Sequence, residues 1–324
     1  MGTIYGDRRF RKNPSPANTP DGQTKIDDIP EIPDRKRSVN DKDEKIRQMI
    51  STSRPGDLNI VCLDAGQGDA TIVRLPNGKI MVVDCNVENA PENIVKILKD
   101  AGIEKIDYLV ITHPHQDHMS GAKDIADNFE VGEVWTTDYK RKRSEETPES
   151  YAAYQAYVKT LNKLEKKGAT IRTPTASNDP IVKEGNLEIR AFGPSASVQG
   201  NNEDIHEESL VIHIKSDKTT ALFPGDTTNH QLDRISKYYP INNITFLHAA
   251  HHGSKEGANE DVMRQISPEY TVISVGKGNP HGLPHSDAMK VYRQTTNGKK
   301  VYRTDKGTIG IRFNSDGMST DVQE

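Results

Sequence analysis

Cysteine is nearly absent, with two in 324 residues, Cys62 and Cys85. That excludes a disulfide framework and a Cys-rich zinc site. Both lie in apolar, strand-like runs and read as buried thiols. Long apolar runs are missing as well; none approaches the ~18 consecutive residues of a membrane-spanning helix. The basic opening MGTIYGDRRFRKNPS has no apolar stretch behind it and does not read as a secretory signal. A cytoplasmic location and no membrane role are expected. There is no basic excess: 43 Lys and Arg stand against 47 Asp and Glu, a net charge of -4. Any polyanion must therefore be met by a local patch. Only 33% of residues are hydrophobic and the mean hydropathy is -0.75, so part of the chain should lie outside any core. No tandem repeat of about 20–50 residues is visible.

Six of the 18 prolines fall in the first 55 residues. Segments such as NPSPANTPDGQ and DIPEIPDRKR bury too little to offset their ordering entropy. Residues 1–56 therefore read as a polar, largely extended N-terminal tail. Ile46, Met49 and Ile50 have helical spacing, so a short helix can form near Asp43–Ser51. Such a tail can be solvated, or can dock on the domain or on a protein partner.

From Leu58 the texture changes. LNIVCLD, ATIVRL and KIMVVDC are short β-branched runs, with Asn77-Gly78 as a hairpin turn. PENIVKILKDAG reads as a helix with Pro91 in its first turn and Gly102 at its end. IDYLVIT is a strand covered on both faces. HPHQDHMSGAKDIADNF turns into a helix, and GEVWTT is the next strand. Residues 144–168 form a helical insert capped by Thr147 and stopped by Gly168. Strands LEIRAF, SLVIHIKSDKTTALFPGD, ITFLHAAHH, YTVISVG and KKVYRTDKGTIGIRF follow, with the helix SDAMKVYRQT among them. Two strand-rich halves with interleaved helices predict an α/β domain over 57–324, two sheets face to face with helices outside.

The informative segment is Thr112-His113-Pro114-His115-Gln116-Asp117-His118. Three of the chain's 11 histidines fall here, directly after a buried strand. Imidazole and carboxylate are ligands for zinc and similar metals. His113 and His115 project to one side of an extended loop, whereas Asp117 and His118 enter the following helix. That pattern suits two metals, with one pair of residues on each. Asp226, after the strand ending Phe223-Pro224-Gly225, is the right type for a bridging ligand. His251-His252 end another strand, where neighbours point in opposite directions, so one of the pair should bind metal. His206 precedes Asp226 at the start of the strand leading toward it.

The order His-x-His-x-Asp-His, then Gly-Asp, then a final His resembles the metallo-β-lactamase superfamily. Asp64-Ala65-Gly66-Gln67-Gly68-Asp69-Ala70, Phe223-Pro224-Gly225-Asp226, His251-His252-Gly253-Ser254, Asn279 to His285 and Arg303-Thr304-Asp305 narrow the likeness. They resemble the branch containing the hydrolase domain of bacterial DNA-uptake (competence) proteins; secreted phosphorylcholine esterases are also similar. The resemblance covers residues 57–314 and implies a four-layer αββα sandwich. It implies that His113, His115 and His206 hold one metal. Asp117, His118 and one of His251 and His252, with His252 preferred, hold the other. Asp226 would bridge. Asp117, His251 and His285 are then the candidate catalytic residues, although Leu283 stands where the family commonly has another His. Asp64, Gln67, Asp69 and Asp84 read as supports behind the ligands. A surface or inter-layer role is expected for His213 and a structural one for His230 and His248. His281 lies in a loop near His285.

Zn2+ is the first expectation for the two divalent ions, and Mn2+ suits the same N/O ligands. Two such ions, offset by Asp117, Asp226 and one hydroxide, would keep a net charge of about +1 and favour an anionic substrate. Metal coordination lowers the pKa of water toward about 7, and a metal pair stabilises in-line displacement at phosphorus. The function expected is hydrolysis of a phosphodiester by a metal-activated hydroxide, nuclease favoured. The basic run Lys140-Arg141-Lys142-Arg143 is the candidate contact for a phosphate backbone, and helix 147–167 can act as a lid. The alternatives are a small ester, lactone or phosphorylcholine-type diester hydrolase, and a non-catalytic interaction module stabilised by metal.

Overall fold

The computed structural model describes residues 35–52, 54–201 and 204–322. Its strands, in chain order, are β1 (Leu58–Cys62), β2 (Ala70–Arg74), β3 (Ile80–Cys85), β4 (Lys105–Val110), β5 (Glu130–Trp135), β6 (Thr170–Arg172), β7 (Val182–Glu184) and β8 (Leu187–Gly193). There follow β9 (Val211–Ser216), β10 (Thr219–Phe223), β11 (Phe246–His248), β12 (Tyr270–Ile273), β13 (Lys300–Arg303), β14 (Ile309–Phe313) and β15 (Ser319–Val322). The helices are α1 (Arg35–Ser51), α2 (Ile94–Asp100), α3 (Gln116–Met119), α4 (Ala122–Asn128), α5 (Pro148–Lys166), α6 (Asn229–Tyr238), α7 (Glu260–Ile266) and α8 (Ser286–Thr295).

The strands make two sheets. One has the order β15-β14-β1-β2-β3-β4-β5-β6, the other β13-β12-β11-β10-β9-β8-β7. Alternation along each strand divides its apolar residues between two cores. In β1 and the residue after it, Ile60 and Cys62 face the other sheet, while Val61 and Leu63 face helices. Ile60, Val73, Met81, Val110 and Trp135 meet Ile189, Ile212, Phe223, Phe246 and Tyr270 between the sheets. A second core lies under α1, α2, α4 and α5, and a third under α6, α7 and α8. The result is the expected four-layer αββα sandwich. Cys62 and Cys85 are buried and free, and burial pushes the Cys62 thiol up to about 12.

Local chemistry sets the helix ends. Thr147 accepts from the Ser150 N–H at 3.2 Å, and Pro148 opens α5. Pro91 lies ahead of α2; Asn93 is the cap and accepts from Val95 and Lys96. The helix expected from HPHQDHMSGAKDIADNF is two pieces, α3 and α4, joined at Gly121. There the chain passes so close to β3 that a Cβ on Gly121 would lie 2.3 Å from the Cys85 carbonyl oxygen.

Two features depart from the sequence expectation. The helix expected near Asp43–Ser51 is longer, running over Arg35–Ser51, and of the alternatives for the tail this part takes docking on the domain. Ile46, Met49 and Ile50 are buried against the first sheet, and Asn59 donates to the Met49 carbonyl at 2.8 Å. The apolar residues sit in the last turns, so the polar composition of the segment as a whole hides the face. The rest of the predicted tail, residues 1–34, lies outside the described residues. The second departure is at the other end. β14 pairs antiparallel with β1, Leu58 opposite Phe313, so the C-terminal strands join the N-terminal sheet. Among the described residues no helix is long and apolar enough to cross a membrane.

Ile50 is 1% exposed. Ile50→Ala should lower unfolding free energy by about 2–4 kcal/mol in urea titration. A change under about 0.5 kcal/mol would show that α1 is not part of the cooperative fold.

Candidate metal centre

Apart from His206, the candidate ligands named from the sequence lie at or just beyond the carboxyl end of a strand. The loop after β4 carries His113 and His115, and the first turn of α3 carries Asp117 and His118. Asp84, in β3, fixes this loop at both ends. Its Oδ1 accepts from the Thr112 N–H at 2.8 Å, and its Oδ2 lies 2.8 Å from both Thr112 Oγ1 and His118 Nδ1. Asp226 follows β10 through Pro224 and Gly225. Gly225 has φ +57, and a Cβ there would lie 2.7 Å from Thr112 Cβ. Glycine is what lets the Asp226 turn lie against the histidine loop.

His251 and His252 do not continue strand β11. Both are left-handed, with φ 51 and 52, a conformation costing on the order of 1–3 kcal/mol per residue. The expected alternation of neighbouring side chains therefore does not apply. Both rings turn toward Asp226 Oδ2, His251 Nε2 at 3.8 Å and His252 Nε2 at 3.6 Å.

Asp226 is the common member of two ligand-capable groups. His113, His115, His206 and Asp226 form one, Asp69, His118, Asp226 and His252 the other, each with atoms within 4.8 Å of one another. In the first, His113 Nε2 and His115 Nδ1 converge to 2.9 Å. The His206 ring lies 5.0 Å from His115 and 4.6 Å from His251, centroid to centroid. In the second, the direction of each ring separates ligand from support. His118 and His252 turn Nδ1 to Asp84 and Asp69, at 2.8 and 3.2 Å. Their Nε2 atoms face Asp226, and also Asp117 at 3.9 and 3.3 Å. By geometry Asp117 shares the open side of these rings and Asp69 stands behind them, beside His248 at 3.6 Å.

Hydrogen bonding fails on the open side, as it does at Asp69 Oδ1 and His251 Nδ1. His118 Nε2, His252 Nε2 and Asp226 Oδ1 are buried without a hydrogen-bond partner. Each such atom costs about 1–3 kcal/mol. Unpaired imidazole nitrogens and carboxylate oxygens facing one another fit a divalent cation such as Zn2+ or Mn2+. The cluster's own charges compensate one another. Burial opposes charge on Asp226, yet His252, His118 and His113 hold its carboxyl well below the usual range. Burial likewise opposes charge on His118, but Asp226 and Asp84 raise it well above the ordinary imidazole value. Burial and His206 push His115 down to about 4, so it stays neutral.

The other expected residues divide. His285 caps α8 and belongs to neither group. Its N–H donates to the Gly253 carbonyl at 3.0 Å and its Nδ1 accepts from the Lys255 N–H at 3.1 Å, so it braces the His251–Gly253 turn. His206 lies in a turn ahead of β9 rather than at its start. Asp64 accepts from Gly66 and contacts Thr308, and Gln67 accepts from Gly276. His248 bonds Ser274 Oγ at 2.8 Å, His230 meets Glu207 at 3.1 Å, and His281 is exposed. His213 is buried and stacked on Phe192, 4.9 Å between centroids.

The basic run is not a uniform contact surface. Lys140, Lys142 and Arg143 are exposed, but Arg141 is buried and bound to Glu146 and the Pro114 carbonyl. It is unavailable to substrate, which corrects the expectation for that residue. Consecutive side chains on an extended segment alternate, and the carboxylate that holds Arg141 lies beyond the run, in a loop whose shape the sequence did not reveal. The roles of Thr112 and Ser274 as anchors were also illegible, since nothing local marks them.

These features, a four-layer αββα sandwich with a His/Asp cluster at strand ends, define a class. Residues 63–277 match the metallo-β-lactamase superfamily, and the chain belongs to it. Within that class the similar proteins include competence proteins. ComE operon protein 3 of Bacillus subtilis (strain 168) is 24% identical over 279 residues, 81% of this chain and 33% of that protein. Recombination protein 2 of Haemophilus influenzae is 26% identical over 233 residues, 70% and 25% respectively. Competence protein ComA of Neisseria gonorrhoeae is 24% identical over 243 residues, 75% and 30%. The chain thus spans about a third or less of each relative. Similar solved structures include Zn(2+)-bound PqqB from Methylobacterium extorquens, 10% identical with TM-score 0.47, covering 77% of this chain and 99% of that one. A long form RNase Z from yeast is 12% identical with TM-score 0.41, covering 78% and 42%.

Asp84→Asn removes the charge behind His118 and keeps the shape. Metal affinity should fall about 10–100-fold in chelator competition. Unchanged affinity would remove Asp84 from the support of the cluster.

Proposed function

We propose that the chain is a two-metal-dependent hydrolase of phosphodiesters, with a nucleic acid as the favoured substrate. The observation that carries this reading is the convergence of imidazole and carboxylate atoms on Asp226, with His118 Nε2, His252 Nε2 and Asp226 Oδ1 buried and unpaired. His113, His115 and His206 would hold one divalent ion, Asp117, His118 and His252 the other, and Asp226 would serve both. Such ions, when bound, acidify a water near neutral pH and offset charge on phosphoryl oxygens.

The chain's own groups supply the rest. Asp84 holds the His118 ring from behind, and the Ser274 carbonyl, 3.2 Å from His252 Nδ1, together with the nearby Asp69 carboxylate holds the His252 ring, so that each Nε2 stays directed at the cluster. The His251 side chain is 25% exposed and that of Asp117 35%. These two are read as the groups that meet substrate at the mouth of the site, with His285 fixing the turn that carries His251. Asp69 and Asp84 bring four carboxylates to the centre rather than the two counted from the motifs. The preference for an anion therefore rests less on the centre than on its surroundings. Lys140, Lys142 and Arg143 are exposed on a segment tied to the loop between His113 and His115, a position suited to a phosphate backbone. The relatives named for competence and recombination support a nucleic-acid substrate.

The test is metal analysis followed by a panel of single- and double-stranded DNA, RNA, cyclic nucleotides, bis-p-nitrophenyl phosphate and neutral esters. Wild-type protein should cleave phosphodiesters and lose this activity with a chelator. Asp226→Ala should lose metal and at least about 100-fold of the rate. Full activity of that variant, or turnover of neutral esters alone, would overturn the reading.

Charge reversal at Lys140, Lys142 and Arg143 together separates polymer from small substrate. Nucleic-acid cleavage should fall at least about tenfold, with a shallower salt dependence, while bis-p-nitrophenyl phosphate turnover stays within about twofold. An equal fall on both would exclude the rim as a backbone contact.

A further inference from the structure

Of the four cations in 140–143, Arg141 alone is buried. Its side chain is 5% exposed and that of its partner Glu146 16%. Its Nε donates to Glu146 Oε1 at 2.6 Å, and its Nη2 donates to Glu146 Oε2 and, at 3.2 Å, to Ser150 Oγ. Its Nη1 donates at 2.9 Å to the carbonyl oxygen of Pro114. That carbonyl belongs to the peptide between His113 and His115. Pro114 has no N–H with which to anchor the turn, so its carbonyl is the handle that remains.

A buried guanidinium is costly unless paired and hydrogen-bonded. Here the fixed plane of N–H groups meets a carboxylate with two parallel bonds and reaches a carbonyl on another edge, a pattern no lysine reproduces. Glu146 and Ser150 stand at the start of α5, with Glu146 next to the capping Thr147. The clasp therefore joins three things: the rim segment, the first turn of α5 and the turn that presents His113 Nε2 and His115 Nδ1.

We infer that Arg141 is a positioning residue, which fixes the Pro114 peptide and so sets the geometry at which His113 and His115 hold their metal. The inference rests on the reading of this cluster as a metal centre. It is selective in a way that general packing is not. His118 is held from behind by Asp84, and His252 by the Ser274 carbonyl and Asp69, and none of Arg141's bonds described above goes to these groups. Loss of Arg141 weakens the ion on the His113 and His115 side and spares the other. The same clasp keeps Lys140 and Lys142, its neighbours on either side, in register with the metal loop.

The experiment is titration of the full chain with Zn2+ against a chromophoric chelator, for wild type, Arg141→Ala and Arg141→Lys. Wild type should take up two equivalents. Arg141→Ala should bind one of them about 10–100-fold more weakly and the other within about threefold. Arg141→Lys should fall between, and added guanidinium ion should restore the alanine variant without changing wild type. Two unchanged affinities in Arg141→Ala would overturn the inference. So would an equal loss at both, accompanied by a lower melting temperature of the metal-free protein. If the alanine variant does not fold, Arg141→Lys and Glu146→Gln decide the matter, and unchanged affinities in both overturn it. Wild-type protein that takes up no zinc ends the metal reading itself, a result visible before any variant is made, and this inference ends with it.

Discussion

A single buried carboxylate organises the centre. Asp226 is 2% exposed and has four imidazole Nε2 atoms, from His113, His118, His251 and His252, within 3.8 Å. A carboxylate cannot be kept ionised in a protein interior without compensating charge or hydrogen bonds. The surrounding architecture meets that demand. Gly225 lets Asp226 approach Thr112, Asp84 fixes Thr112 and His118 together, and two consecutive left-handed residues turn His251 and His252 inward. The strain of that turn and the unpaired nitrogens are local costs, and both occur where a cation would offset them.

The sandwich is what makes such convergence available. In the first sheet β3, β4 and β5 run parallel, and in the second β10, β11, β12 and β13 do. Parallel strands deliver their carboxyl ends to one edge. Packing the two sheets through a continuous apolar core then brings two such edges together. Asp84 and His113–His118 come from one sheet, Asp226 and His251–His252 from the other. Residues in contact within the site are thus separated by up to 183 positions in the numbering, as Asp69 and His252 are, and inter-sheet burial supplies the free energy that holds them there.

A second consequence of the tertiary arrangement concerns the basic run. Four successive cations look alike in a sequence, yet their environments differ. Arg141 lies inside, bonded to Glu146, Ser150 and Pro114, while its neighbours remain in solvent. Alternation over 140–142 turns the middle side chain inward, and the short 3-10 turn beginning at Arg143 keeps that residue out. Alternation does not fix which side of the segment faces in, because that depends on where Glu146 and the metal loop lie. The same reasoning applies to His285, a plausible site residue by position, whose ring instead braces the backbone of the turn beside it.

The amino-acid order determined the local matters. β-Branched runs gave β1 to β5 and the strands of the second half; Thr147, Pro148 and Gly168 gave α5; the density of imidazole and carboxylate after a buried strand gave the ligand types. The spacing of Ile46, Met49 and Ile50 hinted at the end of α1, but not at its full length or its docking. These features are legible because periodicity, capping and ligand chemistry act within a few residues. Tertiary structure alone decided that β14 returns to β1, that both His251 and His252 face Asp226, that Asp69 stands behind the rings Asp117 faces, and that Arg141 is a brace. Each depends on which atoms meet across long sequence separations and on the burial those meetings create, and no local pattern encodes that.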